Sequence, residues 1–295
     1  MTEDKNPIVA LANHESITNI EEQDPRKKLL PQLDLSNVDG LYDVKDELYT
    51  TIAVRASPLY NQRNNHTNNV TGILLHGKAG VGKTELLRGI HVCLRDHPLM
   101  YSKYCHASEF CGTTGTNAKV IDKIFKECRD SPKPIAIMLV DEIYAIGYDT
   151  SGRLNDLERL RALYSQMDGM NDNSKIIFIA TTNKIKSMST PLKSRFASYY
   201  LLDLPDAEVR KLLIKRFIIN SGAKFESIPD VDLLASDNCT KGFTGRNFRD
   251  IGTKLYSTWC LHGAPITSRD VMKEYARFVQ TASKRTSAQQ EEVGW

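Results

Sequence analysis

None of the six cysteines in this 295-residue chain stands in a CxxC pair, so the ligand spacing of a structural zinc site is missing. Cys93, Cys105, Cys111, Cys128, Cys239 and Cys260 are scattered. They fit reduced thiols in the cytoplasm or nucleus better than a disulfide framework. No apolar run reaches the ~18 residues that a membrane helix needs. The opening stretch, MTEDKNPIVALANHE, lacks a basic region followed by an apolar core, and the expectation is that no secretory signal is present. There is no internal repeat. Net charge is +3, too small to argue by itself for a nucleic-acid partner.

With 41% hydrophobic and 25% charged residues, the composition is that of a soluble globular protein. The length suits one large domain with a satellite, or two domains. Residues 1–33 are polar, carry the cluster EEQDPRKK, and read as a flexible tail. Asn61 to Asn69, NQRNNHTNN, reads as an exposed loop. Leu41, Val44, Leu48 and Ile52 recur at helical spacing.

Beyond that, strands and helices alternate. Strands are expected at Gly72–His76, Met100–His106, Pro134–Val140 and Lys175–Ala180. Helices are expected at Thr84–Leu94, Asn117–Arg129 and Leu154–Met167. The run PIAIMLV is continuously apolar, as a strand buried on both faces would be. Such alternation predicts an α/β fold, a parallel sheet with helices on both sides. After about Leu204 only helical patterns remain. One carries Val209, Leu212, Leu213 and Phe217. A second carries Phe248, Ile251, Leu255 and Trp259. A third carries Val271, Tyr275, Phe278 and Val279, opened by Thr267 or Ser268 as cap. The expected division is a nucleotide-binding α/β domain over 34–204, a small helical lid over 205–283 and a tail over 284–295.

The chemistry begins at LLHGKAGVGKTELL. Gly77 to Thr84 fits G-x-x-x-x-G-K-S/T, a phosphate-binding loop between a strand and a helix. Lys78, Ala79, Gly80, Val81, Gly82 and Glu85 complete the cradle. Successive backbone N–H groups must turn inward to wrap phosphate, and glycine removes the steric bar to that path. Lys83 is expected to reach the β- and γ-phosphates and Thr84 to offer its hydroxyl to Mg²⁺. The run IAIMLVDE spills Asp141 and Glu142 from a strand tip, the edge where parallel sheets bind ligands. Asp141 is expected to hold Mg²⁺ through water, and Glu142 to orient and deprotonate an attacking water. KIIFIATTN places Asn183 at another tip, where it can hydrogen-bond the water or the γ-phosphate.

Together these residues resemble the AAA+ ATPases, and within them the AAA family proper, which includes proteasomal ATPases, katanin and spastin, and membrane-anchored AAA proteases. The resemblance runs over about residues 35–280. VDGLYDVKDEL resembles the family's opening V-G-G-L-x-x-V-K-x-x-L, which implies adenine contacts from Val38 and Gly40. DEIYAIG resembles D-E-I-D-A-I, and QMDGM the M-D-G closing the next helix. PLKSRF resembles the segment carrying an arginine finger, and GFTGRNF the lid motif, which brings Gly245 and Arg246 to the nucleotide. The resemblance implies ATP with Mg²⁺, and a hexameric ring in which Arg195 reaches a neighbour's γ-phosphate. It also implies remodelling or disassembly of a protein partner, with itself or related AAA subunits as ring neighbours.

The chain departs from the pattern at four places. Asp39 stands where the family has glycine. Lys193, Ser194 and Arg195 leave Arg195 as the finger, with Lys193 as a helper. Arg246 replaces alanine and reads either as a phosphate sensor within its own subunit or as a solvent-facing arginine. After Phe110 the loop Cys111–Gly115 carries no aromatic to grip peptide. That loop keeps open a second function, a nucleotide-controlled assembly module with low turnover. A DNA-acting AAA+ protein, for which Arg246, Arg249, Lys254 and Arg269 give slight support, ranks lower and leaves nucleic acid open as a partner.

Overall fold

The computed structural model describes residues 35–56, 71–110, 116–147, 154–169 and 172–279. The expected tails, the Asn61–Asn69 loop and the Cys111–Gly115 loop lie outside the described residues. Chain order runs α1 (Tyr42–Ala56), β1 (Thr71–His76), α2 (Lys83–Leu94), β2 (Met100–His106), α3 (Asn117–Arg129), β3 (Ile135–Asp141), α4 (Leu154–Met167), β4 (Ile176–Thr182) and β5 (Ser198–Leu201). Helices α5 (Ala207–Phe217), α6 (Gly245–His262) and α7 (268–279) follow, with short helical turns between them. Among the described residues no helix is long and apolar enough to cross a membrane.

The five strands form one sheet in the order β2-β3-β4-β1-β5, and every pairing is parallel. Parallel strands need long crossovers, and the helices between them supply both covering layers. β3 is buried at every position, and its side chains divide by the two-residue period of a strand. Ala136, Met138 and Val140 join Phe125, Leu160 and Leu163 of α3 and α4 in one core. Ile137 and Leu139 join Leu48, Ile52, Leu86 and Ile90 of α1 and α2 in the other. β5 was not foreseen in the residue pattern. It is four residues long, at the sheet's edge, with Tyr199 and Leu201 exposed on alternate positions and the other two partly buried.

A third core lies in the helical segment after the sheet, around Ile214, Phe248, Ile251, Leu255, Val271 and Tyr275. Here the expected face of α5 shifts. Leu212 is exposed, while Ile214 and Arg210 are buried. Arg210 donates to the carbonyls of Ala235 at 2.9 Å and Pro205 at 3.1 Å and pairs with Asp237 at 2.5 Å. A guanidinium so fully bonded can occupy a core position that the hydrophobic pattern gave to leucine. Thr267, not Ser268, caps α7. Its hydroxyl accepts the Asp270 N–H at 3.2 Å, and the Asp270 carboxylate accepts the Thr267 N–H at 3.0 Å, a reciprocal capping box.

Candidate functional site

Three sheet tips meet beside the loop that follows β1. Strand order places β4 between β1 and β3, so residues at the end of β4 stand between the glycine loop and the acidic pair. The loop holds left-handed backbone at Gly80 (φ +84°) and Gly82 (φ +107°), a conformation only glycine adopts without strain. Gly82 then caps the N-terminus of the 12-residue α2. Unpaired N–H groups and the positive end of the helix dipole gather there, a ready anion site.

A cavity of about 540 Å³ opens at this point. It is walled by the loop, residues 37–39 and 41–44, α5 and the start of α6. Val38, Ala79, Gly80, Val81, Gly82, Lys83, Thr84, Glu85, Glu142, Asn183, Gly245 and Arg246 all line it. Gly40 is not among its walls; a side chain there would meet Val209 at 2.8 Å. Lys78 is exposed and is not among the walls either; its carbonyl accepts from Lys83. Lys83 is buried and donates through Nζ to the carbonyls of Gly77 and Lys78, both at 2.8 Å. Burial holds its ammonium below the usual lysine range, against the pull of Glu142 and Asp141.

Asp141 sits behind Thr84, 5% exposed. Its carboxylate accepts three hydroxyls: Thr84 at 2.9 Å and Tyr104 at 3.3 Å on Oδ2, and Thr181 at 2.5 Å on Oδ1. Thr181 also accepts the Glu142 N–H at 3.0 Å, and its carbonyl accepts the Ile143 N–H at 2.9 Å. These bonds fix Glu142 in left-handed backbone at φ +59°. Such a conformation costs a non-glycine residue about 1–3 kcal/mol and persists only where neighbours impose it. Oε2 of Glu142 is buried without a hydrogen bond. Burial, and then the Asp141 charge, push its carboxyl above the usual glutamate range.

The donor set fits a nucleotide triphosphate with a hard divalent cation. A desolvated ammonium and a helix N-terminus face one cavity, and a glycine path leaves no room for a side chain. At Gly80 a Cβ would lie 2.7 Å from Thr244 Oγ1. Among the described residues no group of three or more His, Cys, Asp or Glu could hold a metal by itself. Thr84 and Asp141 supply two hard oxygens, which suits Mg²⁺, an ion that completes its shell with phosphate oxygens and water.

Helices α5 and α6 pack against this site. The Arg246 N–H donates to the Gly80 carbonyl at 3.3 Å. Arg249 pairs with Glu85 at 2.9 Å and Arg216 with Asp39 at 3.0 Å. Arg195 lies elsewhere. Its Nε and a terminal nitrogen bind Asp168 at 2.8 and 2.5 Å, and its guanidinium covers the Tyr164 ring at 4.1 Å. It does not line its own chain's cavity. The sequence reading missed Thr181, Tyr104, Asp168 and Arg216. Thr181 had a signal, a buried-strand threonine ahead of Asn183; the others became visible only through tertiary contacts.

Residues 73–204 match the family model described as "ATPase family associated with various cellular activities (AAA)". The chain is 31% identical over 182 residues to a 26S proteasome regulatory subunit homolog of Methanothermobacter thermautotrophicus, covering 60% of this chain and 46% of that protein. It is 28% identical over 231 residues to Cell division protein C of Sulfolobus acidocaldarius, covering 75% of this chain and 58% of that one. Identity to the ATP-dependent zinc metalloprotease FtsH 3 of Petrotoga mobilis is 27% over 285 residues, 91% of this chain and 42% of that one. The chain thus spans roughly half the length of these curated relatives.

Proposed function

This chain belongs to the AAA+ ATPase superfamily, and from that premise we propose that it binds and hydrolyses ATP to do conformational work on a protein partner. The observation that carries the reading is the convergence of Lys83, Thr84, Asp141 and Glu142 on one cavity beside a helix N-terminus.

Lys83 neutralises the phosphates, and the amides at the start of α2 wrap them. Thr84 and Asp141 hold Mg²⁺, which when bound screens the phosphate charge. Glu142 takes the proton of the attacking water, a task its raised pKa suits. Asn183 hydrogen-bonds that water or the γ-phosphate. Val38, on the cavity wall, positions the adenine. Arg246, in the first turn of α6, senses phosphate within its own subunit.

We place the nucleotide-binding domain at 34–204 and the lid at 205–283. In a ring of copies, Arg195 exchanges Asp168 for a neighbour's γ-phosphate, where a finger is worth roughly 10³–10⁵ in rate. Relatives named as a proteasome regulatory subunit homolog, a cell division protein and an ATP-dependent protease favour a protein substrate over DNA.

Calorimetry and phosphate release test the reading. Wild type binds and hydrolyses Mg-ATP, Lys83→Ala binds none, and Glu142→Gln binds but turns over about 10²–10⁴-fold more slowly. Normal hydrolysis by Glu142→Gln refutes the assignment. A specific rate that rises with neither protein concentration nor a protein substrate counts against a working ring remodeller.

A further inference from the structure

Behind Asp141 stands a side chain that neither the glycine loop nor the acidic pair contains. Helix α2 carries Thr84, Arg88 and His91 at spacings of four and three, which puts them on one face. Thr84 bonds Asp141 at the end of β3. His91 bonds Ser102 of β2 at 2.9 Å, and its ring lies 6.1 Å from the ring of Tyr104. Tyr104 stands two residues behind the register pair His106–Asp141, so it shares their face of the sheet. Its ring is half-buried against the core, and its hydroxyl meets Asp141 Oδ2 at 3.3 Å. The exposed guanidinium of Arg88 bonds the same hydroxyl. That second bond fixes where the phenol proton lies. A guanidinium only donates and a carboxylate only accepts. The Tyr104 oxygen therefore accepts from Arg88, and its one proton goes to Asp141.

We propose that Tyr104 is a positioning residue for the cation: its hydroxyl, oriented by Arg88, keeps the Asp141 carboxylate aimed when Thr84 turns its own oxygen to the metal. Oδ2 of Asp141 takes the hydroxyls of both Thr84 and Tyr104. A threonine that serves the cation no longer donates to Oδ2, and Tyr104 remains on it. This rests on the ATP and Mg²⁺ reading above and goes beyond it, because Tyr104 lies outside the motifs that carry that reading. Partners that orient a metal's ligands from behind are worth about 10–100-fold in affinity. Asp141 acts through water, which places Tyr104 at the lower end of that range.

Calorimetry on the full chain measures ATP affinity with Mg²⁺ and with EDTA, and the ratio of the two is the gain due to metal. Wild type, Tyr104→Phe, Arg88→Met and Lys83→Ala are compared. Tyr104→Phe keeps the ring and its packing. It binds ATP in EDTA within about 3-fold of wild type, while its metal gain falls about 10-fold. Arg88→Met lowers the gain in the same direction but by less, because the hydroxyl still donates. No gain in wild type, or a gain unchanged in Tyr104→Phe, overturns the proposal and leaves nucleotide binding standing. Equal losses with Mg²⁺ and with EDTA also overturn it, since that is what a merely structural ring would give. Should Tyr104→Phe not fold, Arg88→Met, changed only at an exposed side chain, decides the matter, and an unchanged gain there overturns the proposal. Binding that ignores Lys83→Ala in both conditions overturns the nucleotide reading itself.

Discussion

Replacing Thr181 by valine tests whether one buried hydroxyl organises the acidic pair. The side chains are nearly the same shape, and Thr181 is fully buried, so the change removes hydrogen bonds with little change in volume. Two bonds go. The first is the 2.5 Å donation to Asp141, charge-assisted and worth about 1.5–3 kcal/mol. The second is acceptance of the Glu142 N–H at 3.0 Å. Leaving that amide unpaired costs about 1–3 kcal/mol, at a residue already held in left-handed backbone. Partial relaxation of Glu142 returns some of this, so the expected destabilisation is about 2–5 kcal/mol. Thr181→Ser keeps the hydroxyl and loses one methyl, worth about 1 kcal/mol. Urea unfolding of the three proteins without nucleotide reads the difference. Turnover of Thr181→Val falls about 10-fold or more, because Glu142 is no longer aimed. If valine destabilises no more than serine and turnover is kept, the hydroxyl does not organise the site.

Other substitutions and conditions test separate parts of the structure. At Gly252 a Cβ would sit 1.8 Å from the Phe217 carbonyl, so Gly252→Ala should lower the melting temperature, at a cost of about 1–3 kcal/mol. A rise of the size that alanine's helix propensity alone supplies would refute the contact. Glu142 has a folded-state pKa raised above its ordinary 4.5, so the native state binds more protons than the unfolded one just above that value. Its contribution to stability therefore falls as pH rises through that window. Glu142→Gln should melt higher than wild type at pH 7–8, with the gap closing towards pH 4; a gap constant across pH contradicts the burial argument. Cys105 and Cys128 are buried, and their thiols are pushed up to about 12. Iodoacetamide at pH 8, followed by peptide mass spectrometry, should label exposed Cys260 well before either. Equal labelling in the native state would count against the packing around α3.

The local pattern was most legible where one residue type forces one structure. Gly80 and Gly82 announce left-handed backbone, and the unbroken apolar run ending at Asp141 announces a strand covered on both faces. Sequence was a poorer guide wherever a polar group replaced an expected apolar one. Arg210 occupies a core position because Ala235 and Asp237, from a distant segment, join Pro205 of the preceding turn in accepting its hydrogen bonds, and that distant pair is not written into the local spacing. β5 escaped notice because an edge strand with alternate exposure resembles a loop.

The order of residues alone therefore determined the glycine loop, the acidic strand tip and the alternation that makes a parallel sheet, since each depends on backbone sterics or on periodicity along a few residues. Tertiary structure alone decided which groups became partners. Thr181 reached Asp141 because the sheet sets β4 between β1 and β3. Asp39 met Arg216 because α5 packs back across 177 positions of chain, and Arg195 turned to Asp168 instead of its own cavity. Such contacts depend on three-dimensional approach between distant segments, which no local period encodes.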